Sequence, residues 1–240
     1  MWQGFLSAIQ FLTVFPWGLA QAFDARKSLP YFPLCGLLIG AVLMVVDTVA
    51  MHFWSPMTAS ILTLTALAGI SGALHLDGLA DTADGLYGQR TPEKALAIMK
   101  DSRVGAMGMA VVVFCVAVKW AGLAGLAEHR LIFLLIVPAY ARSGVLFATR
   151  QLPYGRPDGG TGHDFFEIPL GNKDFRMIVI VVVVSLLLGW KALVFNAAFI
   201  VIISVMIRYY RHKIGCITGD MLGAMIEVTE TLLFLIASAR

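Results

Sequence analysis

Charge is what this chain has least of. Asp, Glu, Lys and Arg together supply only 14% of its 240 residues, and 59% are hydrophobic; an average soluble domain is about 25% charged. The few charges bunch between long apolar runs and the mean hydropathy is +0.81, which excludes an ordinary soluble domain and predicts a membrane protein. A basic tract with interleaved aromatics is missing and the formal net charge is only +3, so nucleic acid is not an expected partner. Cysteine is scarce as well. Cys35, Cys115 and Cys216 are widely spaced, lie in or beside apolar segments and form no C-x-x-C pair, which argues against zinc and a disulfide framework and predicts buried thiols. The N-terminus has neither a charged n-region nor a small-residue cleavage site, so a cleavable signal peptide is not expected. Internal repeats and low-complexity tracts are lacking too, and residues 1–240 read as a single integral-membrane domain.

The stretch LHLDGLADTADGLYG, residues 74–88, sets three carboxylates and three glycines at the end of an apolar segment. If it is helical, Asp77, Asp81 and Asp84 fall at i, i+4 and i+7 and line one stripe about two turns long. Like charges so spaced repel by roughly 0.2–0.5 kcal/mol per pair, so a compensating cation is expected. An all-oxygen donor set favours Mg²⁺ or Mn²⁺ over zinc. Gly78 and Gly85 each follow a carboxylate and leave room for a ligand or a close backbone. The alternative, an acidic cap or solvated loop face, fits poorly beside so apolar a segment.

The hydrophobic pattern predicts an all-α, polytopic transmembrane bundle of about seven spans plus an interfacial or re-entrant N-terminal helix. Residues 4–22 are apolar but interrupted by Gln10 and Pro16, hence interfacial or re-entrant. Residues 34–54 and 57–76 form a hairpin of two spans, each long enough for a hydrocarbon core of about 30 Å. Asp47 and His52 are expected at the far interface of that hairpin. Thr91 before Pro92 predicts an N-cap and a short helix through Met99. Residues 105–127 and 131–149 are the next two spans, turning at Glu128, His129 and Arg130. Residues 177–207 read as two spans broken at 189–191, and 221–239 is the last. With that count, thirteen of the eighteen Lys and Arg residues, in 26–27, 90–103, 150–176 and 208–213, share one face. Arg130, Lys191 and Arg240 are on the other, and Lys119 and Arg142 lie inside spans. The bias makes the first face cytoplasmic and puts the acidic stripe there with the 150–176 and 208–220 loops.

Further chemistry lies on that face. Lys100 and Arg103 are placed to hold phosphate oxygens opposite a metal or, alternatively, to anchor the membrane edge. Residues 154–162, with Arg156, Asp158 and several glycines, form a candidate cradle for an anionic substrate. His163 beside Asp164 offers an acid–base pair, though a loop histidine is more often simply solvated. Asp220 stands at the mouth of the last span, with Glu227 and Glu230 deeper. Intramembrane carboxylates mark a site or pathway, unless they pair with Lys119 or Arg142 inside the bundle.

HLDGLADTADGL, then KDSRVGAMG, RPDGGTG and TGDMLGAMIEVTE, together with the N-terminal AIQFLTVFP, resemble the cobalamin synthase (adenosylcobinamide-GDP ribazoletransferase) family across essentially the whole chain. The acidic block is the most specific of these motifs. The resemblance implies a Mg²⁺-dependent, multi-pass enzyme of the bacterial inner (cytoplasmic) membrane with its active site on the cytoplasmic side. Its substrates would be adenosylcobinamide-GDP and α-ribazole or α-ribazole 5′-phosphate, its product beside the cobamide GMP. Membrane lipid would surround it, and a homo-oligomer is compatible. Asp77, Asp81 and Asp84 are then the candidate catalytic residues, with Asp81, flanked by a carboxylate on each side, as the proton acceptor. Lys100, Arg103, Arg156, Asp158 and His75 are the candidate substrate contacts, and Asp77, Asp81, Asp84, Asp220 and Glu227 the candidate metal ligands. Two other readings compete. CDP-alcohol phosphotransferases carry D-G-x-x-A-R, which residues 77–81 echo only in part and without its arginine. A cation-coupled transporter would place carboxylates at the midplane of two matching halves, whereas here they cluster at one edge and the halves do not match.

Overall fold

The computed structural model describes residues 2–17, 23–156, 159 and 162–239. Helix α1 spans Trp2–Leu12, and α2 (Ala25–Ser28) leads through a 3₁₀ turn, Leu29–Tyr31, into α3 (Phe32–Phe53). Then follow α4 (Pro56–Ile70), α5 (Leu74–Leu86), α6 (Pro92–Ile98), α7 (Ala106–Ala124) and α8 (Arg130–Gln151). Helices α9 (Arg176–Ser185), α10 (Lys191–Lys213) and α11 (Gly219–Ala237) complete the chain. The fold is the all-α membrane bundle that the composition predicts. Among the described residues, four stretches are long and apolar enough to cross a bilayer: Ala25–Phe53, Ala106–Ala124, Arg130–Gln151 and Lys191–Lys213, or five if α4 and α5 count as one broken span. The expected count of about seven is not confirmed by this measure of length and composition, for three physical reasons.

The first is a break inside residues 57–76. Helix α4 ends at Ile70, where the Gly72 amide donates to the Gly69 carbonyl and the Ala73 amide to the Ala68 carbonyl. This is a Schellman closure, with Gly72 and Ala73 both left-handed (φ 60° and 57°). The chain turns by 87° before α5 starts, so α4 and the thirteen-residue acidic helix do not form one straight span. The second concerns residues 177–207. They do break at Gly189 (φ 61°), but α9 and its 3₁₀ extension to Leu188 rise only roughly 20 Å, short of the hydrocarbon thickness of about 30 Å. Third, α11 carries Asp220, Glu227 and Glu230 in nineteen residues. Helix α1, eleven residues, is likewise too short to cross by itself; residues 18–22 of the segment expected to be interfacial or re-entrant lie outside the described residues.

Helix α8 is the central post. Gly36 and Gly40 of α3 let the two backbones touch: a Cβ at Gly36 would lie 2.6 Å from the Pro138 carbonyl oxygen, and one at Gly40 2.7 Å from that of Leu134. Small residues one turn apart are how helices approach in lipid, where apolar side chains gain little by leaving the tails. The outer faces of α7, α9 and α10 keep Phe114, Val183, Leu187, Leu193 and Ile200 more than half exposed, a lipid-facing surface rather than a defect of packing.

Polar contacts tie the elements together at both ends of the bundle. At one end Arg26 pairs with Asp174 at 2.7 Å, the Lys213 ammonium donates to the Gly88 carbonyl at 2.6 Å, and Arg211 donates to Gln151. At the other, Lys191 meets Glu128 at 2.8 Å, tying the 189–191 break to the α7–α8 turn. Asp47 is not interfacial as expected. It is fully buried, accepts both Nε and Nη2 of Arg130 at 2.8 and 2.7 Å, and takes a third bond from Thr63. The three thiols are free; Cys35 is buried, while Cys115 and Cys216 are only partly so.

Candidate functional site

Helix α5 forms as the spacing predicts, so Asp77, Asp81 and Asp84 do share one face. It crosses the start of α11 through glycine. A Cβ at Gly78 would lie 2.7 Å from the Asp220 carbonyl oxygen, and one at Gly223 would lie 3.3 Å from the His75 Cα. Glycine on both sides therefore brings the stripe against the first turn of α11, where the Thr218 hydroxyl accepts the Met221 amide at 3.3 Å as N-cap. Asp220 faces the resulting corner, and Asp77, Asp220, His75 and Gly219 line one small cavity with Phe11, Phe32 and Phe165.

Arg156 enters from the long loop, and pairing explains how it gets there. The Gly155 amide donates to the Ile217 carbonyl at 2.9 Å and the Ile217 amide to the Pro153 carbonyl at 3.0 Å, a single parallel bridge that staples the loop to the segment before α11. The Arg156 Nη2 then reaches Asp220 Oδ2 at 2.6 Å and the Met99 carbonyl at 3.1 Å, while its buried Nε has no partner among the described residues. The guanidinium thus joins the acidic corner to the link between α6 and α7. That link holds Lys100 and Arg103, both exposed. Arg103 grips Asp101 with Nε and Nη2, the latter at 2.6 Å from Oδ2, and Lys100 has no ion pair among the described residues. The α6 N-cap is as expected, Thr91 accepting the Lys94 amide.

The three stripe carboxylates differ in their surroundings. Asp84 spends both oxygens on α7: Oδ2 accepts the Gly105 amide at 2.6 Å and Oδ1 the Gly108 amide at 2.9 Å, where the positive end of the helix dipole favours an anion. Asp77 and Asp81 accept no side-chain hydrogen bond and make no ion pair among the described residues. Burial first, then the Asp77 and Asp220 carboxylates, push Asp81 up to about 6. Unpartnered hard-oxygen donors that repel one another are the setting in which Mg²⁺ or Mn²⁺ binds well. Among the described residues, however, the three-residue group whose ligand atoms lie within 4.8 Å of one another is His163, Asp164 and Glu167, on the exposed loop. The stripe is looser, with Asp220 drawn to Arg156 and Asp84 to α7.

Glu227 is not brought to the stripe. With Glu230 it lies inside the bundle, where Lys119 Nζ reaches Glu227 Oε2 at 2.6 Å and Glu230 Oε2 at 2.7 Å, and Arg142 Nη1 bonds Glu230 Oε1. Of the two readings open for these acids, the structure takes pairing with both Lys119 and Arg142. His75 is 3% exposed, lines the cavity, and its Nδ1 has no partner among the described residues. Asp158 lies outside the described residues. His163 stands 3.3 Å from Asp164, partly exposed. Two features went unread in the sequence. Thr218 is legible afterwards as the threonine opening T-G-D-M, an N-cap pattern; the Arg156–Asp220 contact joins residues 64 apart and left no local signal.

A multi-pass helical bundle with an acidic corner at one rim defines a polytopic membrane protein with a candidate site at that rim. The chain belongs to the cobalamin-5-phosphate synthase family, which it matches over residues 4–238. It is 35% identical to the adenosylcobinamide-GDP ribazoletransferase of Brevibacillus brevis over 97% of this chain and 96% of the relative. It is 34% identical to those of Alkaliphilus metalliredigens (94% and 91%) and Chlorobaculum tepidum (99% and 96%). No solved structure matches it.

Proposed function

We propose that this chain catalyses the ribazole transfer for which its relatives are named, the last step of nucleotide-loop assembly, at the corner where α5 meets α11. The acceptor is α-ribazole or its 5′-phosphate, the donor adenosylcobinamide-GDP, and the protein lies in the inner membrane of a bacterium with this corner facing the cytoplasm, as its excess of Lys and Arg there favours. The observation that carries the reading is the pair of partnerless carboxylates, Asp77 and Asp81, beside an aspartate already held by an arginine.

Asp77, Asp81 and Asp220 are the residues that would hold Mg²⁺. When bound, the ion would neutralise charge on the phosphoryl oxygens and polarise the phosphorus toward attack. The acceptor's ribose hydroxyl forms the new O–P bond at the phosphorus attached to cobinamide, the bridging P–O bond to GMP breaks, and the hydroxyl proton passes to a carboxylate. Asp81 suits that last role because burial, and after it the Asp77 and Asp220 carboxylates, raise its basicity. Arg156 would bind the diphosphate, with Lys100 and Arg103 as further cations. Asp84 acts at one remove: by holding the start of α7 it fixes the link that carries Lys100 and Arg103.

Transport fits less well. The deep acids Glu227 and Glu230 are neutralised by Lys119 and Arg142, so among the described residues they offer no free carboxylate path across the bundle. The test is a reaction of the purified, detergent-solubilised protein with adenosylcobinamide-GDP, α-ribazole and Mg²⁺. GMP should form only when all three are present, stop with EDTA and return with excess Mg²⁺. GMP formation that ignores α-ribazole would mean hydrolysis instead, and none at all would defeat the assignment.

A further inference from the structure

A groove of about 540 Å³ lies apart from the acidic corner, between the exit of α8 (Arg150, Tyr154) and the following loop (His163, Phe166, Glu167). Its size is that of a small-ligand site. One wall is aromatic: the Tyr154 and Phe166 rings lie 5.0 Å apart at 37°, and His163 stands edge-on to Tyr154 at 5.8 Å. The polar end is acidic. Glu167 has no ion pair or side-chain hydrogen bond among the described residues, and its carboxylate lies within 4.8 Å of the ligand atoms of His163 and Asp164. Such an end repels phosphate and accepts hydrogen bonds from a neutral donor edge.

Two residues along the same backbone segment from Tyr154, Arg156 sits on Asp220 at 2.6 Å. A nucleotide lying along residues 154–156 therefore meets an aromatic wall and a carboxylate at one end and a guanidinium at the other. We propose that the groove holds the guanine of the donor nucleotide, with Glu167 accepting both N1–H and the 2-amino group, and Tyr154 and Phe166 against the ring. The inference rests on the transferase reading above. Guanine presents two adjacent N–H donors, which match the two oxygens of one carboxylate. Adenine presents an acceptor beside its donor and does not.

The test is equilibrium binding of GMP, IMP and AMP, with Mg²⁺, to the full-length solubilised protein and to its Glu167→Gln and Glu167→Ala variants. A site built around paired donors should favour GMP over AMP by about tenfold or more in the wild type, with IMP, which keeps N1–H but lacks the amino group, between them. In both variants the GMP-to-AMP ratio should collapse toward one while AMP still binds. The proposal is overturned by a wild type that binds GMP and AMP alike, by a ratio unchanged in Glu167→Gln, or by loss of both nucleotides together. It is also overturned if the variants lose only Mn²⁺ or Zn²⁺ binding, which would make His163, Asp164 and Glu167 a metal site. Guanine selectivity without GMP formation would instead sink the transferase reading and leave the groove standing.

Discussion

Asp77→Asn and Asp81→Asn each lower GMP formation by about 10²-fold or more, while the protein still inserts, purifies and unfolds at its usual temperature. The separation of the two effects follows from the contacts. Neither carboxylate accepts a side-chain hydrogen bond or pairs with a cation among the described residues, so an amide of the same size removes charge from the corner without removing a structural bond. Losing one of three clustered carboxylates also relieves repulsion, which is why stability should hold or rise slightly. Asp84→Asn behaves otherwise. Its amide nitrogen would face an amide N–H of Gly105 or Gly108, so it should cost about 1–2 kcal/mol of stability, as the loss of a helix cap does, besides lowering activity through the α6–α7 link. Near-wild-type turnover in both Asp77→Asn and Asp81→Asn would rule out the assigned role.

Glu230→Ala has the largest expected effect on stability. It leaves Arg142, fully buried, without its anion and Lys119 with Glu227 alone, and stranding a buried charge costs about 3–5 kcal/mol. Thermal unfolding in detergent should fall sharply. Removing both partners together, as Arg142→Leu with Glu230→Leu, should recover most of the loss, because apolar residues of similar volume replace a desolvated ion pair at little net cost. A double variant no better than Glu230→Ala would show that the network does more than hold α8 and α11 together.

The parts of this architecture that the sequence makes legible are those fixed by local rules. Composition and run length predict the bundle, the spacing of Asp77, Asp81 and Asp84 predicts their common face, and Thr91 before Pro92 predicts the cap of α6. The break at Gly189 is likewise a local glycine signal. The turn at Gly72 carried the same signal, within G-I-S-G, but hydropathy outweighs it when a window of twenty residues is summed, so one apolar segment passes for a single span. What local rules misplace or leave open are pairings across long separations. Asp47 with Arg130, Glu230 with Arg142, and Asp220 with Arg156 bring charges together from 83, 88 and 64 residues away. A polar residue in an apolar run announces a partner without naming it. That Glu227 is neutralised by Lys119 rather than shared with the stripe could be decided only once α7 and α11 were seen side by side.

The central claim is that the aspartates at the α5–α11 corner assist a direct displacement on phosphorus and do not attack it themselves. The measurement closest to that claim is the stereochemical course at a chirally labelled phosphorus, the one attached to cobinamide, followed through a single transfer to α-ribazole. The geometry proposed here predicts inversion, with no phosphoryl-enzyme trapped on rapid quenching. Retention of configuration, or a covalent adduct recovered on Asp77, Asp81 or Asp220, would contradict it.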